Sequence, residues 1–440
     1  MKADEIYELY IKNNLNICID SRSSHVKGSV FFGINGDNFN GNDFAEDALK
    51  KGAIIAIVDN YNKNNNSIII VENSLSTLQK IAIIHRNRFS IPIIAITGSN
   101  GKTTTKDILT TILSSKYKTC KTEGNFNNHI GVPLTLLSLK ESHEIAIIEM
   151  GASHIGEIKK LCKIVKPSHG IITNIGEAHI GEYGNIKNII KAKNELFNYL
   201  KQNNGLIIFN QNDDILKKLI SNYPNIVGYN KPKIMSHDKK IASILFPTYQ
   251  CKPFITLHNC YNIDIITSNI IGSYNINNII ASISIAKIFK VPSKKIKASI
   301  EKIKLKNNRS EFIETQRNNI ILDAYNANPT SMEKAIINFI EINNFLKYRD
   351  MLFILGDMLE LGFKEVTYHQ DIIDLLEKNH ITNCILVGEL FSKTVSKNNY
   401  QKSSSILECI KIIKQQPIEH KSIFVKGSRH MSLERVIQYL

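Results

Sequence analysis

The stretch Thr97-Gly98-Ser99-Asn100-Gly101-Lys102-Thr103-Thr104-Thr105 combines residue types that can cradle a phosphate chain. Gly98 and Gly101 let the backbone turn tightly and present N–H groups, with Ser99, Asn100 and Thr104 completing the cradle. A following helix N-terminus adds partial positive charge, Lys102 can reach the terminal phosphates, and Thr103 can offer its hydroxyl to Mg²⁺. The spacing is GxxGKT, shorter than the common GxxxxGK[ST]. An ordinary glycine turn capping a helix is the plain alternative. The apolar run before it, the GKT core and the helical pattern after it favour the phosphate reading. Two further residues fit the same chemistry. Glu149 sits near the carboxyl end of the apolar run 144–150, where a metal-directed carboxylate belongs in a nucleotide-binding sheet. His179 follows the run 170–174, in Gly176-Glu177-Ala178-His179, and can bind metal at the same sheet edge. Either alone reads more readily as structural; beside a phosphate loop they read as ligands. Lys193 sits in a helical stretch with Ile189, Ile190, Leu196 and Phe197. Its spacing alone assigns it only the part of a surface lysine snorkelling past apolar neighbours.

These residues need a sheet to carry them. Short β-branched runs at 53–58, 67–71, 91–97, 144–150, 170–174, 205–209, 320–323, 351–355, 383–387 and 422–426 alternate with longer helical patterns. That alternation predicts an α/β protein with parallel sheets. Residues 86–92 read as a connector between a first and a second unit. The spacing predicts a basic amphipathic helix over 293–305, with Ile296, Ile300 and Ile303 on one face. Lys306-Asn307-Asn308-Arg309 then reads as a hinge before a third unit. The units span 1–88, 89–307 and 308–440.

The composition bounds the alternatives. The chain has 440 residues, 43% hydrophobic and 22% charged, which excludes a collagen-like or wholly disordered protein. No apolar run approaches the roughly 18–20 residues of a membrane span, so no membrane insertion is expected. The segment 1–13 carries Asp4, Glu5 and Glu8 and lacks a signal pattern, which points to the cytoplasm. The seven cysteines are scattered and form no CxxC pair, which favours neither a disulfide framework nor a zinc module. The 55 Lys plus Arg against 40 Asp plus Glu leave a net charge of +15. Such a charge suits nucleic acid or a small anionic ligand. No nucleic-acid recognition motif or concentrated basic arm is present, so no nucleic-acid partner is expected. The richness in Ile, Lys and Asn has the look of an A/T-rich coding bias.

Taken in order, the motifs resemble a known family. They include Asp20-Ser21-Arg22, Gly28-Ser29-Val30-Phe31-Phe32 and 36–44 in the first unit. The second unit adds the phosphate loop, Glu123-Gly124-Asn125-Phe126-Asn127-Asn128, Ile130-Gly131-Val132-Pro133, Glu149-Met150-Gly151-Ala152 and Thr173-Asn174-Ile175-Gly176-Glu177-Ala178-His179. In the third unit stand Asp323-Ala324-Tyr325-Asn326-Ala327-Asn328-Pro329-Thr330-Ser331-Met332, Gly356-Asp357-Met358-Leu359-Glu360-Leu361-Gly362 and Val425-Lys426-Gly427-Ser428-Arg429. The sequence resembles the Mur ligases, ATP-dependent amide-forming enzymes of bacterial cell-wall precursor synthesis. Within them it is similar to the dipeptide-adding branch. The resemblance implies a small UDP-substrate-binding α/β domain, a central P-loop ATPase-type domain with a mostly parallel sheet, and a C-terminal Rossmann-like domain. It implies ATP and two Mg²⁺ sites, with UDP-N-acetylmuramoyl-tripeptide and D-alanyl-D-alanine as substrates and a monomeric enzyme. Lys102 would hold the phosphates, Thr103 and Glu149 one Mg²⁺, and His179 the other. Lys193 aligns with the family's carbamylated lysine, which helps hold that second metal. Asn275 and Asn278 resemble the adenine-side pair, Asp323 the ribose-binding acid, and Arg309 the arginine that reaches the phosphates. Tyr325, Asn326 and Asn328 would line the nucleotide or dipeptide pocket, and Ser21, Arg22, Asn127 and Asn128 would meet substrate. An amino-acid-adding Mur ligase or a folylpolyglutamate synthetase-like enzyme is the alternative; the motifs at 323–332 and 356–362 argue against it. The chain departs from many relatives at Asn42, where they carry His, and at His430, where a small residue is common.

Overall fold

The computed structural model describes residues 1–13, 15–36, 39–229, 248–260 and 263–440, so Asp37 and Asn38 of the 36–44 motif lie outside the described residues. The chain forms two compact units. The first comprises Met1–Ala95, Tyr117–Gly151 and Glu157–Ser168; the second comprises Ile96–Lys116, Ala152–Gly156 and His169–Leu440. Among the described residues no helix is long and apolar enough to cross a membrane.

The first unit opens on a parallel sheet of β1 (Asn16–Cys18), β2 (Ser29–Phe32), β3 (Ile55–Val58) and β4 (Ile68–Ile70), in that order. Every residue of β2 is buried, as are Ala56, Ile57 and Val58 of β3. A parallel sheet covered on both faces demands such continuous apolar runs. The helix Ser74–Arg86 starts where the Asn73 side chain accepts from the Ser76 N–H. Its His85 lies 2.9 Å from the Tyr7 hydroxyl and 3.0 Å from the Leu139 carbonyl, and burial pushes its pKa down. The unit also holds β6 (Thr119–Lys121), β7 (Ile145–Glu149) and the first half of β5 (Ile93–Thr97), in the order β6-β7-β5.

In the second unit the other half of β5 is followed laterally by β8 (His169–Ile172), β9 (Leu206–Asn210) and β10 (Ile226–Tyr229). The pairs β8–β9 and β9–β10 are parallel, and the Thr173 N–H donates to the Thr97 carbonyl at 2.9 Å. The helix Lys102–Leu113 follows β5 and packs against the almost wholly buried helix Ile276–Ile288. An antiparallel sheet of β11 (Thr248–Cys251), β12 (Phe254–Cys260) and β13 (Ile263–Ile271) precedes that second helix. The basic helix spans Ser293–Lys302, and the backbone turns extended at Ile303, three residues short of the expected end. Ile296 and Ile300 are buried as the periodicity predicts. The expected hinge at 306–309 contains two left-handed residues, Asn307 (φ 62) and Asn308 (φ 60), and Ser310 (φ 47) follows it; asparagine enters this region more readily than most.

The last sheet contains β14 (Glu311–Glu314), β15 (Asn319–Asp323), β16 (Asp350–Gly356), β17 (Cys384–Val387), β18 (Gln401–Ser403) and β19 (Lys421–Lys426). Its order is β14-β15-β19-β16-β17-β18, parallel except for β14 against β15. Because β19 inserts between β15 and β16, Lys426 lies level with both Asp323 and Leu355. Ligands bind at such an edge, beyond the carboxyl ends of parallel strands. Below it, Phe339 stands 5.1 Å from Phe353 and 5.3 Å from Phe424, ring centre to ring centre.

Each of the ten expected runs overlaps a strand. The periodicity missed β1, β6, β10, β14 and β18, each a short edge strand, together with β2 and the antiparallel β11, β12 and β13. Edge strands of three or four residues offer too few positions for a pattern to show.

Candidate active site

The phosphate loop joins β5 to its helix through two glycines that no other residue replaces without strain. Gly98 has φ +139, and a Cβ there would lie 2.1 Å from Thr173 Oγ1; Gly101 has φ +79, and a Cβ would lie 2.5 Å from Asn278 Oδ1. The loop is pinned to the chain leaving β8. The Ser99 N–H donates to the Asn174 carbonyl at 3.0 Å, and the Asn100 N–H to Asn174 Oδ1 at 3.1 Å. The Asn100 carbonyl accepts from Thr173 Oγ1 at 2.6 Å and Asn174 Nδ2 at 2.9 Å. Ser99 Oγ donates to the Gly176 carbonyl at 2.8 Å and accepts from the Gly176 N–H at 2.9 Å. Lys102 arches over the loop, its Nζ 2.7 Å from the Gly98 carbonyl and 3.1 Å from that of Ser99. Thr103 and Thr104 stand in the first turn of the helix.

Asn275 and Asn278 come together beneath this loop. Asn278 Nδ2 donates to Asn275 Oδ1 at 2.9 Å, while Asn278 Oδ1 accepts from Thr105 Oγ1 at 3.2 Å. Asn328 reaches the loop from the other side, its Nδ2 donating to Asn100 Oδ1 at 2.8 Å. The same asparagine caps the helix Pro329–Ile342 by accepting from the Ser331 N–H.

Asp323, at the end of β15, accepts from the Ser310 N–H at 3.0 Å and from Lys426 Nζ at 2.6 Å. Lys426 also donates to the Asn326 carbonyl at 3.2 Å, which ties the dipeptide motif to β19. The Arg309 guanidinium lies 3.6 Å from the centre of the Tyr325 ring, and that of Arg429 lies 5.1 Å from it, so two cations share one aromatic ring.

His179 adopts a left-handed conformation (φ 55) just before a short helix. Its Nδ1 lies 2.7 Å from Glu360 Oε2 and 3.9 Å from Glu182 Oε2. The proximity of His179 holds the Glu360 carboxyl below its usual pKa. Lys193, expected from spacing alone to sit at the surface, is only 2% exposed. Its helix, Ile186–Gln202, turns it inward, where Nζ donates to the Ala152 carbonyl at 3.0 Å and lies 3.4 Å from the Tyr183 hydroxyl.

In the first unit, Glu149 ends β7 and is 1% exposed. Its Oε1 accepts from Asn127 Nδ2 at 2.8 Å, and its N–H donates to Thr122 Oγ1 at 3.0 Å. Asn128 caps the next turn, its Oδ1 accepting from the N–H groups of Ile130 and Gly131. Ser21 is buried, while Arg22 extends into solvent and donates to Asp20. Asn42 is the centre of a polar knot: its Nδ2 donates to Asp59 Oδ1 at 2.8 Å and to Asn40 Oδ1 at 2.8 Å.

Within the second unit, an imidazole with carboxylates beside it suits a divalent cation. His179, Glu182 and Glu360 bring their ligand atoms within 4.8 Å of one another. Spacing had not singled out Glu360, Asp357, His369 or Lys426. All but His369 lie in the motifs at 356–362 and 425–429, at the carboxyl ends of β16 and β19, and that position was the available signal.

A nucleotide-type phosphate loop on a parallel sheet, next to a second Rossmann-like sheet, is the architecture of an ATP-dependent ligase. The chain belongs to the Mur ligase family: residues 15–95 match the Mur ligase family catalytic domain, 96–286 the Mur ligase middle domain, and 308–429 the Mur ligase glutamate ligase domain. It is 32% identical over 423 residues to a UDP-N-acetylmuramoyl-tripeptide–D-alanyl-D-alanine ligase of Bacillus subtilis, covering 93% of this chain and 90% of that protein. A crystal structure of MurF from Acinetobacter baumannii superposes with a TM-score of 0.83 at 26% identity, covering 99% of this chain and 98% of that one. MurF from Thermotoga maritima in complex with ADP gives 0.81 at 26% identity over 97% and 96% of the two chains. The fold is therefore the three-domain α/β fold of these ligases.

Proposed function

We propose that the chain joins D-alanyl-D-alanine to UDP-N-acetylmuramoyl-tripeptide, coupled to cleavage of ATP to ADP and phosphate. The observation that carries this reading is the bond between Asn100 of the phosphate loop and Asn328 of the dipeptide-branch motif, which couples the nucleotide loop to the element that distinguishes this branch. The UDP-substrate, ATP-binding and ligase domains are read as 1–88, 89–307 and 308–440 of a cytoplasmic monomer.

A carboxylate acylates poorly because its leaving group is oxide. In the first step a carboxylate oxygen of the tripeptide attacks the γ-phosphorus, the β–γ bridging bond breaks, and ADP leaves. The second step has the dipeptide amine attack the acyl carbon; phosphate leaves and the amine loses a proton. The first step drives two anions together. Lys102 and Arg309 oppose that repulsion with fixed positive charge, the kind of preorganised stabilisation that dominates such reactions. Loop N–H groups orient the phosphates, while Asn275, Asn278, Asp323 and Tyr325 hold the nucleoside side. Asn326 and Asn328 face the dipeptide, and Ser21, Arg22, Asn127 and Asn128 the UDP-tripeptide. Thr103 and Glu149 would hold one Mg²⁺, and His179 with a carbamylated Lys193 the second; bound there, the ions supply charge neutralisation.

The test is phosphate release by the purified protein with ATP, Mg²⁺, D-alanyl-D-alanine and a UDP-tripeptide ending in diaminopimelate or in lysine. Turnover should need the dipeptide. Turnover with single amino acids in its place would overturn the reading in favour of an amino-acid-adding ligase.

A further inference from the structure

We propose that Glu360 is a positioning residue for His179: its carboxylate fixes the imidazole in the tautomer with hydrogen on Nδ1 and so leaves the Nε2 lone pair for a divalent cation. The inference rests on the reading that His179 meets such a cation. An imidazole that ligates through one nitrogen needs a partner for the other, most often a carboxylate, and that partner sets both tautomer and ring orientation. His179 Nδ1 is shielded from solvent, and Glu360 Oε2 stands 2.7 Å away, off the line of an ideal hydrogen bond. Catalytic hydrogen bonds are often poorly aligned without ligands and tighten when they bind. Among the described residues, Glu182 is a second carboxylate near the ring, at 3.9 Å.

The approach of Glu360 is built into the backbone. Its φ is +64, and its carbonyl accepts from the Gly181 N–H at 2.9 Å. A Cβ on Gly181 would lie 2.8 Å from the Gly362 nitrogen, so the two loops touch main chain to main chain. The root of the 357–362 loop is equally fixed. Asp357 accepts from the N–H groups of Leu390 and Phe391, each at 2.9 Å. The Met358 N–H donates to His369 Nε2 at 2.9 Å, and the Leu359 N–H to Ser428 Oγ at 3.0 Å. His369 is fully buried, and its Nδ1 lies 2.6 Å from the Glu365 carbonyl. The last sheet thus supplies a rigid strut whose tip is Glu360, and the ring it steadies belongs to the ATP-binding part of the chain.

The experiment is ring ¹⁵N NMR of the full-length, metal-free protein near pH 8, with the His179 signals identified by loss in His179→Gln. The expected result is a single Nδ1–H tautomer in the wild type and a mixture in Glu360→Ala. Glu360→Gln keeps an acceptor oxygen and should retain the wild-type tautomer. In phosphate release, Glu360→Ala should raise the Mg²⁺ concentration for half-maximal rate by about 10–100-fold. A metal-free wild type with hydrogen on Nε2, or a tautomer unchanged in Glu360→Ala, overturns the proposal, and the wild-type measurement decides even if the variant fails to fold. A wild type that turns over while Glu360→Ala matches it in tautomer and Mg²⁺ dependence removes this inference alone. A wild type without turnover removes the proposed function instead.

Discussion

At the scale of single residues, the charge on Lys102 is the most exposed part of the reading. Its Nζ rests on the Gly98 and Ser99 carbonyls, poised over the loop that would receive phosphate. Lys102→Ala should lower ligation by about 10²-fold or more, since one preorganised charge-stabilising donor is commonly worth that much. Binding of the UDP-substrate, measured by calorimetry, should stay near wild type; normal turnover would refute the phosphate role. Lys193 tests a different chemistry. If its amine carries a carbamate, Lys193→Ala should lose activity that bicarbonate cannot restore and that a short carboxylic acid partly restores. An unaffected rate would remove the carbamate from the mechanism. These two lysines also mark the limits of the sequence. Lys102 is legible because glycine spacing, a preceding strand and a following helix are local facts. Lys193 is not, because its burial depends on which way its helix faces Ala152 and Tyr183, contacts made across about ten and forty residues of chain.

Burial made most strands legible, although the fully buried β2 was missed and the edge strand β4 was read. The central strands read as apolar runs because both their faces are covered, whereas the edge strands carry little pattern of their own. Their placement depends on side-chain ties that no periodicity reveals. Asn318 is such a tie, fully buried in the turn that joins the edge strand β14 to β15. Its Nδ2 donates to the Ile418 and Leu440 carbonyls, each at 2.7 Å, and its Oδ1 accepts from the Lys421 N–H at 3.0 Å. Asn318→Ala leaves these groups buried without partners and should cost about 2–4 kcal/mol of stability. The check is a lower melting temperature with unchanged Km values; an unshifted melt would mean that the β15–β19 pair is held by its strand ladder alone.

Over the whole molecule, stability should depend on acidity through a residue remote from the chemistry. His169, the first residue of β8, lies 5.0 Å from the Phe289 ring centre, and burial pushes its pKa down to about 4 from 6.5. Between those values the unfolded chain binds a proton that the folded chain refuses. The stabilising contribution is thus present above about pH 6.5 and lost as pH falls toward 4. Melting temperature should fall across that window, and His169→Phe should flatten the slope; an identical slope would exclude His169 as its source. The net charge of +15 does not of itself point to a polyanion surface; Lys102 lies over the loop proposed to receive phosphate. One feature of the loop bears on how long the molecule lasts. Asn100 precedes Gly101, the pairing most prone to cyclise and deamidate in a mobile chain. Here the main chain of Asn100 is gripped on both sides by Thr173 and Asn174, and its side chain is paired with that of Asn328. Conversion to aspartate would set a carboxylate against the Asn328 amide and add a negative charge where phosphates are to sit. The same bonds that shape the loop should therefore slow its chemical ageing, so the lifetime of the protein should follow from how firmly this loop is held.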